Sequence, residues 1–309
     1  TNLFKRMESS GEVFLESVQR HILRNYIFLH ALENHLALPI GTQDVGLLDT
    51  RLNDADIEDT NFFDIPNEDE LPEEMVDESI AGNFTNGVRT ESDYQKKAKE
   101  IYESYAKTYK KRFDWLSSQF FMASLEKHLR EDARNLIQVL EQCQYWNWRK
   151  DTKFLKLLEL VNKTHSDKKI IIFTQFADTV RYLEKCLKDS GVTHLAGVEG
   201  SADDPTSFAL RFSPIANEVE RQIRPEQELR VLVATDVLSE GQNLQDGYIV
   251  VNYDLPWAIV RLIQRAGRVD RIGQKSDEIL CYSFLPAEGV EKIIRLRARV
   301  RKRLKENAE

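Results

Sequence analysis

The stretch Val231–Trp257, VLVATDVLSEGQNLQDGYIVVNYDLPW, decides the fold. Its two apolar runs, extended to Arg230–Ala234 and Tyr248–Tyr253, read as strands of a sheet buried on both faces. Between them the chain leaves the first strand through a loop carrying Thr235, Ser239, Gly241 and Asn243. These are small or polar residues whose backbone amides and hydroxyls can approach a phosphate, although Gly and Asn also fill ordinary turns.

Outward from this stretch, helices and strands alternate. Upstream, Asp151–Val161 is expected as a helix, Lys169–Phe173 as a strand, Ala177–Asp189 as a helix stopped at Gly191, Val192–Ala196 as a strand and Pro205–Phe212 as a helix. Downstream come helix Trp257–Ala266, strand Glu278–Phe284 and a terminal helix from Glu288. That alternation predicts an α/β lobe with a parallel sheet and helices on both faces. In such sheets the ligand crevice lies at the carboxyl ends of the strands, where Thr174–Phe176, Thr235–Asn243 and Asp254–Trp257 fall.

Further along, Gln264–Gln274 reads QRAGRVDRIGQ and sets Arg265, Arg268 and Arg271 at fixed offsets on what should be one helical surface. Arg268 and Arg271, three apart, would share a face and converge on one anion, for which a triphosphate is the obvious candidate. A guanidinium is planar, permanently charged and doubly donating, which suits it to the charge that builds in phosphoryl transfer. An isolated RxxR is more often a solvated basic helix, but here other ordered blocks precede it. Gly273 is expected to end the helix in a left-handed turn, and Asp270 to pair with a neighbouring arginine.

The three blocks KKIIIFTQF, VLVATDVLSEGQNLQDGYIVVNYDLPW and QRAGRVDRIGQ, in that order, resemble motifs IV, V and VI of superfamily-two helicases. The RIGQ ending resembles the Swi/Snf branch, and the QRxGRxDRIGQ form its bacterial RapA-like members. The resemblance runs from about Asp151 to Pro286. It implies a RecA-like second lobe of a DNA translocase. Arg268 and Arg271 would be the finger arginines. Gly241, Asn243, Gln264 and Arg265 would lie on the nucleotide side, with Arg265 alternatively supporting the loop. Thr174, Gln175, Thr235 and Ser239 would lie on the nucleic-acid side. Neither a GxxxxGK[ST] phosphate loop nor a DExx block occurs in these residues. The resemblance therefore implies that ATP and Mg2+ are bound mainly by a first RecA-like lobe of the same protein, that duplex DNA is the partner, and that this stretch alone is inactive.

The rest of the chain is read less sharply. Residues 1–42 are expected to be a helical lead, with Phe14, Leu15, Val18, Ile22, Leu23, Tyr26 and Ile27 at helical spacing. It begins without a methionine inside an apparent helix, as a piece of something longer would. Residues 43–90 are expected to be an acidic, loop-rich or disordered insertion. Positions 44–80 hold fourteen carboxylates against Arg51, a local balance of −13 in a chain of net charge −8, so the remainder carries +5. Residues 91–150 are expected to be a helical insertion of one or two long helices with an aromatic stripe for packing. Residues 151–309 are the lobe, ending in a basic helix with eight cations from Lys292 to Lys305. Residues 44–150 are the expected seat of any protein partner. Three isolated cysteines and six histidines show no disulfide or metal-ligand pattern, and no apolar run could span a bilayer. A cytoplasmic setting with no membrane contact and no resident metal site follows as the expectation. The rival is a non-catalytic protein or nucleic-acid interaction module that keeps the lobe's shape.

Overall fold

Ile170–Phe173, Val231–Ala234 and Ile249–Asn252 are apolar almost throughout and buried at every position. They form the middle of a parallel sheet in the computed structural model, which describes residues 2–40, 90–143, 146–200, 204–239, 243–256 and 259–294. The acidic stretch 43–89 and the tail beyond Ile294 lie outside the described residues. In chain order the elements are α1 (Asn2–Ser9), α2 (Gly11–Glu33), β1 (Ala37–Ile40), α3 (Glu91–Lys107), β2 (Asp114–Ser117), α4 (Ala123–Cys143) and α5 (Thr152–Glu159). There follow β3 (Ile170–Phe173), α6 (Ala177–Asp189), β4 (Leu195–Val198), α7 (Pro205–Phe212) and β5 (Val231–Ala234). The last are β6 (Ile249–Asn252), α8 (Ile259–Ala266), β7 (Leu280–Ser283) and α9 (Glu288–Ile294).

The sheet order is β4-β5-β3-β6-β7, with every pair parallel. Successive side chains of a strand point to opposite faces, so β3 serves two cores at once. Ile170 and Ile172 pack with Phe154, Leu157, Leu183 and Leu187 from α5 and α6, while Ile171 and Phe173 pack with Ala209 and Phe212 from α7. Both faces are thus covered, as the sequence predicts. From β3 the chain crosses to the sheet edge for β4, comes back to lay β5 between β4 and β3, and then places β6 on the other side of β3. The switch point therefore lies between the carboxyl ends of β3 and β6.

Helices α6 and α7 span the residues the sequence predicts because their ends carry explicit signals. The Asp204 carboxylate accepts from the Ser207 N–H with Pro205 in the first turn, and Gly191, at φ +82, lets the chain leave α6. Other boundaries differ. Strand β4 begins at Leu195 and not Val192, because the Val192 N–H still bonds the Leu187 carbonyl at 3.0 Å and His194 turns through φ 53. Strand β7 is shorter than expected at both ends.

The helical lead breaks at Ser10, whose backbone is extended, and its last residues form β1 instead of helix. β1 pairs antiparallel with β2, Leu38 opposite Leu116, so Trp115 and Leu116 belong to a strand between two helices. Tyr94, Tyr105 and Phe113 are buried against Ile22 and Tyr26 of α2, but Phe120 is 79% exposed and does not share that packing. α2 joins the two halves of the molecule: Val13 sits in the sheet core, and Val18 and Ile22 in the helical one. No described helix is long and apolar enough to cross a membrane.

Candidate nucleotide and nucleic-acid site

The arginine segment is not one helix. α8 ends at Ala266, and Gly267–Gly273 continues as a series of turns. A Cβ on Gly267 would lie 3.2 Å from the Ile263 carbonyl, and the Val269 side chain is drawn into the core beneath α7, which pulls the chain off the helix axis. Gly273 has the expected left-handed φ, +100, but it closes a turn and not a helix. Gln274 holds this turn from beneath, its carboxamide nitrogen facing the carbonyls of Val269 (2.8 Å), Gln245 and Gly247 (both 3.1 Å).

The three arginines consequently occupy different environments. Arg265 is fully buried and forms a two-point pair with Asp236, Nε to Oδ1 at 2.6 Å and Nη2 to Oδ2 at 3.2 Å. It also donates to Asn252 Oδ1 (3.1 Å) and the Asp254 carbonyl (3.4 Å). Arg268 is half-buried, and its carbonyl accepts from the Leu244 N–H at 3.3 Å, tying the turn to the loop after β5. Arg271 is exposed; its Nε donates to the Gly267 carbonyl at 3.2 Å, and its terminal nitrogens have no hydrogen-bond partner among the described residues. Asp270 is exposed and makes no arginine pair among the described residues.

Arg271 lines an open pocket with Asn243, Gln245, Asp270 and Ile272. The Asn243 Nδ2 donates to the Ala216 carbonyl at 2.9 Å, while its Oδ1 is buried without a hydrogen-bond partner. An exposed guanidinium at an open pocket suits one flank of a nucleotide, with the cation toward phosphate. Gln264 is half-buried on α8. Thr235 follows β5, its N–H donating to the Val198 carbonyl at 3.0 Å, and Ser239 closes the 3-10 turn Asp236–Ser239. Gly241 lies outside the described residues.

A family model for the helicase conserved C-terminal domain matches residues 152–273. Residues 152–273 are thus similar to a helicase C-terminal domain. ATP-dependent helicase YqhH of Bacillus subtilis (strain 168), itself uncharacterized, is 32% identical over 147 residues, 47% of this chain and 23% of that protein. The probable ATP-dependent RNA helicase ddx17 of Dictyostelium discoideum is 28% identical over 189 residues, 60% of this chain and 22% of that protein. RNA polymerase-associated protein RapA of Vibrio campbellii (strain ATCC BAA-1116) is 34% identical over 131 residues, 42% of this chain and 12% of that protein. The chain thus spans less than a quarter of each of these relatives. The match to RapA bears out the branch to which QRxGRxDRIGQ points.

In this lobe the expected nucleic-acid residues Thr174 and Gln175 are not at the surface. They are 0% and 5% exposed, and α1 covers them. Thr174 Oγ1 and the Gln175 N–H both donate to the Asp254 carboxylate, and Gln175 Oε1 accepts from Lys5. Asp236, Asn252, Asp254 and Gln274 organise the site without having been singled out in sequence. Their one legible signal is position, each falling at or just beyond the end of a strand or turn.

α1 seats its charged face inward, which has an electrostatic consequence. Burial pushes the Glu8 carboxyl up to about 7, against the opposing pull of Lys153. A carboxyl that holds its proton more tightly folded than unfolded contributes stability fully at acid pH, and that stability is lost as pH rises through about 7. Glu8→Gln, which stays neutral, is therefore expected to stabilise the protein at pH 8 by roughly 2–3 kcal/mol, fading toward nothing near pH 4. Urea denaturation of both proteins across this range measures it. A Gln variant less stable than the parent at pH 8 would mean that Lys153 holds Glu8 as a useful ion pair.

Proposed function

We propose that this chain is the second motor lobe of an ATP-dependent DNA translocase of the Swi/Snf type, completed by a first RecA-like lobe of the same protein. One observation carries this reading: the Gly267–Gly273 turn, fixed from behind by Arg265 and Gln274, presents Arg271 at an open pocket beside Asn243. ATP with Mg2+, held mainly by the first lobe, supplies the phosphoryl group on which charge builds during transfer. Arg271, with Arg268 beside it, offers guanidinium groups to that charge when the lobes close. Asn243, Gly241 and Gln264 form the nucleotide flank, and Arg265 acts one step back by fixing the Asp236–Ser239 turn.

Thr235 and Ser239, which follow β5 in the chain, belong to the nucleic-acid side. Thr174 and Gln175 shape that side from beneath. A protein partner engaged through residues 44–150 and a cytoplasmic setting belong to the same reading. Duplex DNA is favoured over RNA by the RIGQ ending and the RapA likeness, whereas ddx17 bears an RNA helicase's name.

The test is ATP turnover by the full-length protein with duplex DNA, with duplex RNA and with neither. Stimulation by DNA alone is expected, together with no turnover by residues 1–309 in isolation. Stimulation by RNA in preference would move the chain to the RNA helicases. No turnover under any condition would leave an interaction module.

A further inference from the structure

Helix α1 is amphipathic the wrong way round. Lys5, Arg6, Glu8 and Ser9 are buried, at 1%, 4%, 6% and 0% exposure, while Phe4 and Met7 face outward at 36% and 44%. Burying such a face is costly, because each ion and hydroxyl must be taken from water and re-partnered. The re-partnering here is incomplete: both Glu8 carboxylate oxygens, Ser10 Oγ and Gln175 Nε2 are buried without a hydrogen-bond partner. A half-satisfied polar network is a poor source of stability, and its best-attested benefit is fixing one arrangement over others.

What it fixes is the switch point. Ser9 Oγ donates to Asp254 Oδ2 at 2.8 Å, and with its one proton so committed it accepts from Thr179 Oγ1 at 2.8 Å. Lys5 Nζ donates to Gln175 Oε1 at 2.5 Å. Lys153 Nζ holds the end of α1 by donating to the carbonyls of Glu8 (2.6 Å) and Ser9 (3.1 Å). From Asp254 the connection runs on without a gap. Its carboxylate takes Thr174 Oγ1 and the Gln175 N–H, its carbonyl takes Arg265 Nη1, and Arg265 pairs with Asp236 at the start of the turn after β5. One hydrogen-bonded line therefore joins α1 to the loops after β3, β5 and β6 and to the arginine segment. Where an open α/β sheet usually leaves its crevice for a ligand, this chain inserts its own helix.

We propose that Lys5 and Ser9 are positioning residues of the motor site. They touch neither nucleotide nor nucleic acid, and they hold the loops after β3 and β6 in the register that sets Arg265 and Asp236. The proposal rests on the motor reading for its effect on turnover, and on geometry alone for its effect on the loops, so both are measured in the full-length protein. Ser9→Ala is the principal variant. Lys5→Met, which acts through Gln175, serves if Ser9→Ala does not fold.

Amide hydrogen exchange is expected to speed up at Gln175, whose N–H bonds Asp254, and also at Leu238, in the Asp236–Ser239 turn on the far side of Arg265. DNA-stimulated turnover is expected to fall ~10–100-fold, the cost of a small misplacement at a site of transfer, with the ATP concentration for half-maximal turnover unchanged. Faster exchange confined to α1 with normal turnover overturns the proposal, since α1 is then only packing. Lowered thermal stability with normal turnover per folded molecule overturns it as well. If the parent itself shows no turnover while exchange at Leu238 responds, the positioning line stands and the motor reading falls.

Discussion

Arg271→Ala in the full-length protein is expected to lower DNA-stimulated ATP turnover by ~10³–10⁵-fold, the usual cost of losing an arginine finger. The size follows from what the guanidinium has to do. Charge spreads over the transferring phosphoryl oxygens in a site from which water is excluded, and a preorganised cation there interacts far more strongly than in water. Arg271 is suited to this because the bond from its Nε to the Gly267 carbonyl at 3.2 Å orients the side chain while its terminal nitrogens have no hydrogen-bond partner among the described residues. The fold should not notice the change: Arg271 is exposed, and surface substitutions usually stay within about 0.5 kcal/mol. Duplex binding, measured separately by anisotropy, should also persist. Turnover within tenfold of the parent would remove Arg271 from the chemistry and leave Arg268 as the one finger to test. Equal loss of duplex binding and turnover would make it a nucleic-acid contact.

Much of the sheet was legible in the sequence, and the reason is periodicity. Residues such as Ile170–Phe173 are buried on both faces, so an uninterrupted apolar run states the strand directly. α7 was legible to the residue because Asp204 and Pro205 mark its start. β1 and β2 were not, because each is four residues long and the partner of Leu38 is Leu116, far along the chain. No local pattern announces a pairing of that separation. α1 misleads in another way: an amphipathic pattern gives the two faces of a helix but not which faces in, and here the charged one does.

The site was partly legible for a related reason. The spacing of Arg268 and Arg271 reads as helical, but three residues also separate neighbours in a tight turn, and Gly267 takes the chain into one. What brings Thr174, Asp254, Arg265 and Asp236 together is the order of β5, β3 and β6 in the sheet, which is a tertiary fact. The buried position of Arg265 is likewise invisible in QRAGR. A fixed charge at 0% exposure needs its carboxylate, and that carboxylate lies twenty-nine positions earlier.

That pair carries the largest expected effect on stability. Arg265→Met is expected to cost about 3 kcal/mol, at the lower end of the 3–5 kcal/mol typical of removing one partner of a buried ion pair. The lower end applies because Asp236 keeps a second cation, Arg261 Nη1 at 3.1 Å, and its side chain is 18% exposed. Even so, Asn252 Oδ1 loses a donor in a site that is 4% exposed, and methionine fills the volume without replacing it. Arg265→Lys should recover little, since one ammonium cannot reach both Asp236 oxygens, Asn252 and the Asp254 carbonyl at once. Removing both charges is the informative control. Arg265→Met with Asp236→Leu leaves no uncompensated carboxylate and should regain part of the loss in urea denaturation, although Asn252 stays unsatisfied. Turnover should not return with stability, because the Asp236–Ser239 turn would then lack the pair that sets it. A double variant restored in both respects would show that the pair serves packing alone, and a single variant losing less than about 1 kcal/mol would show that water reaches the site and replaces the guanidinium.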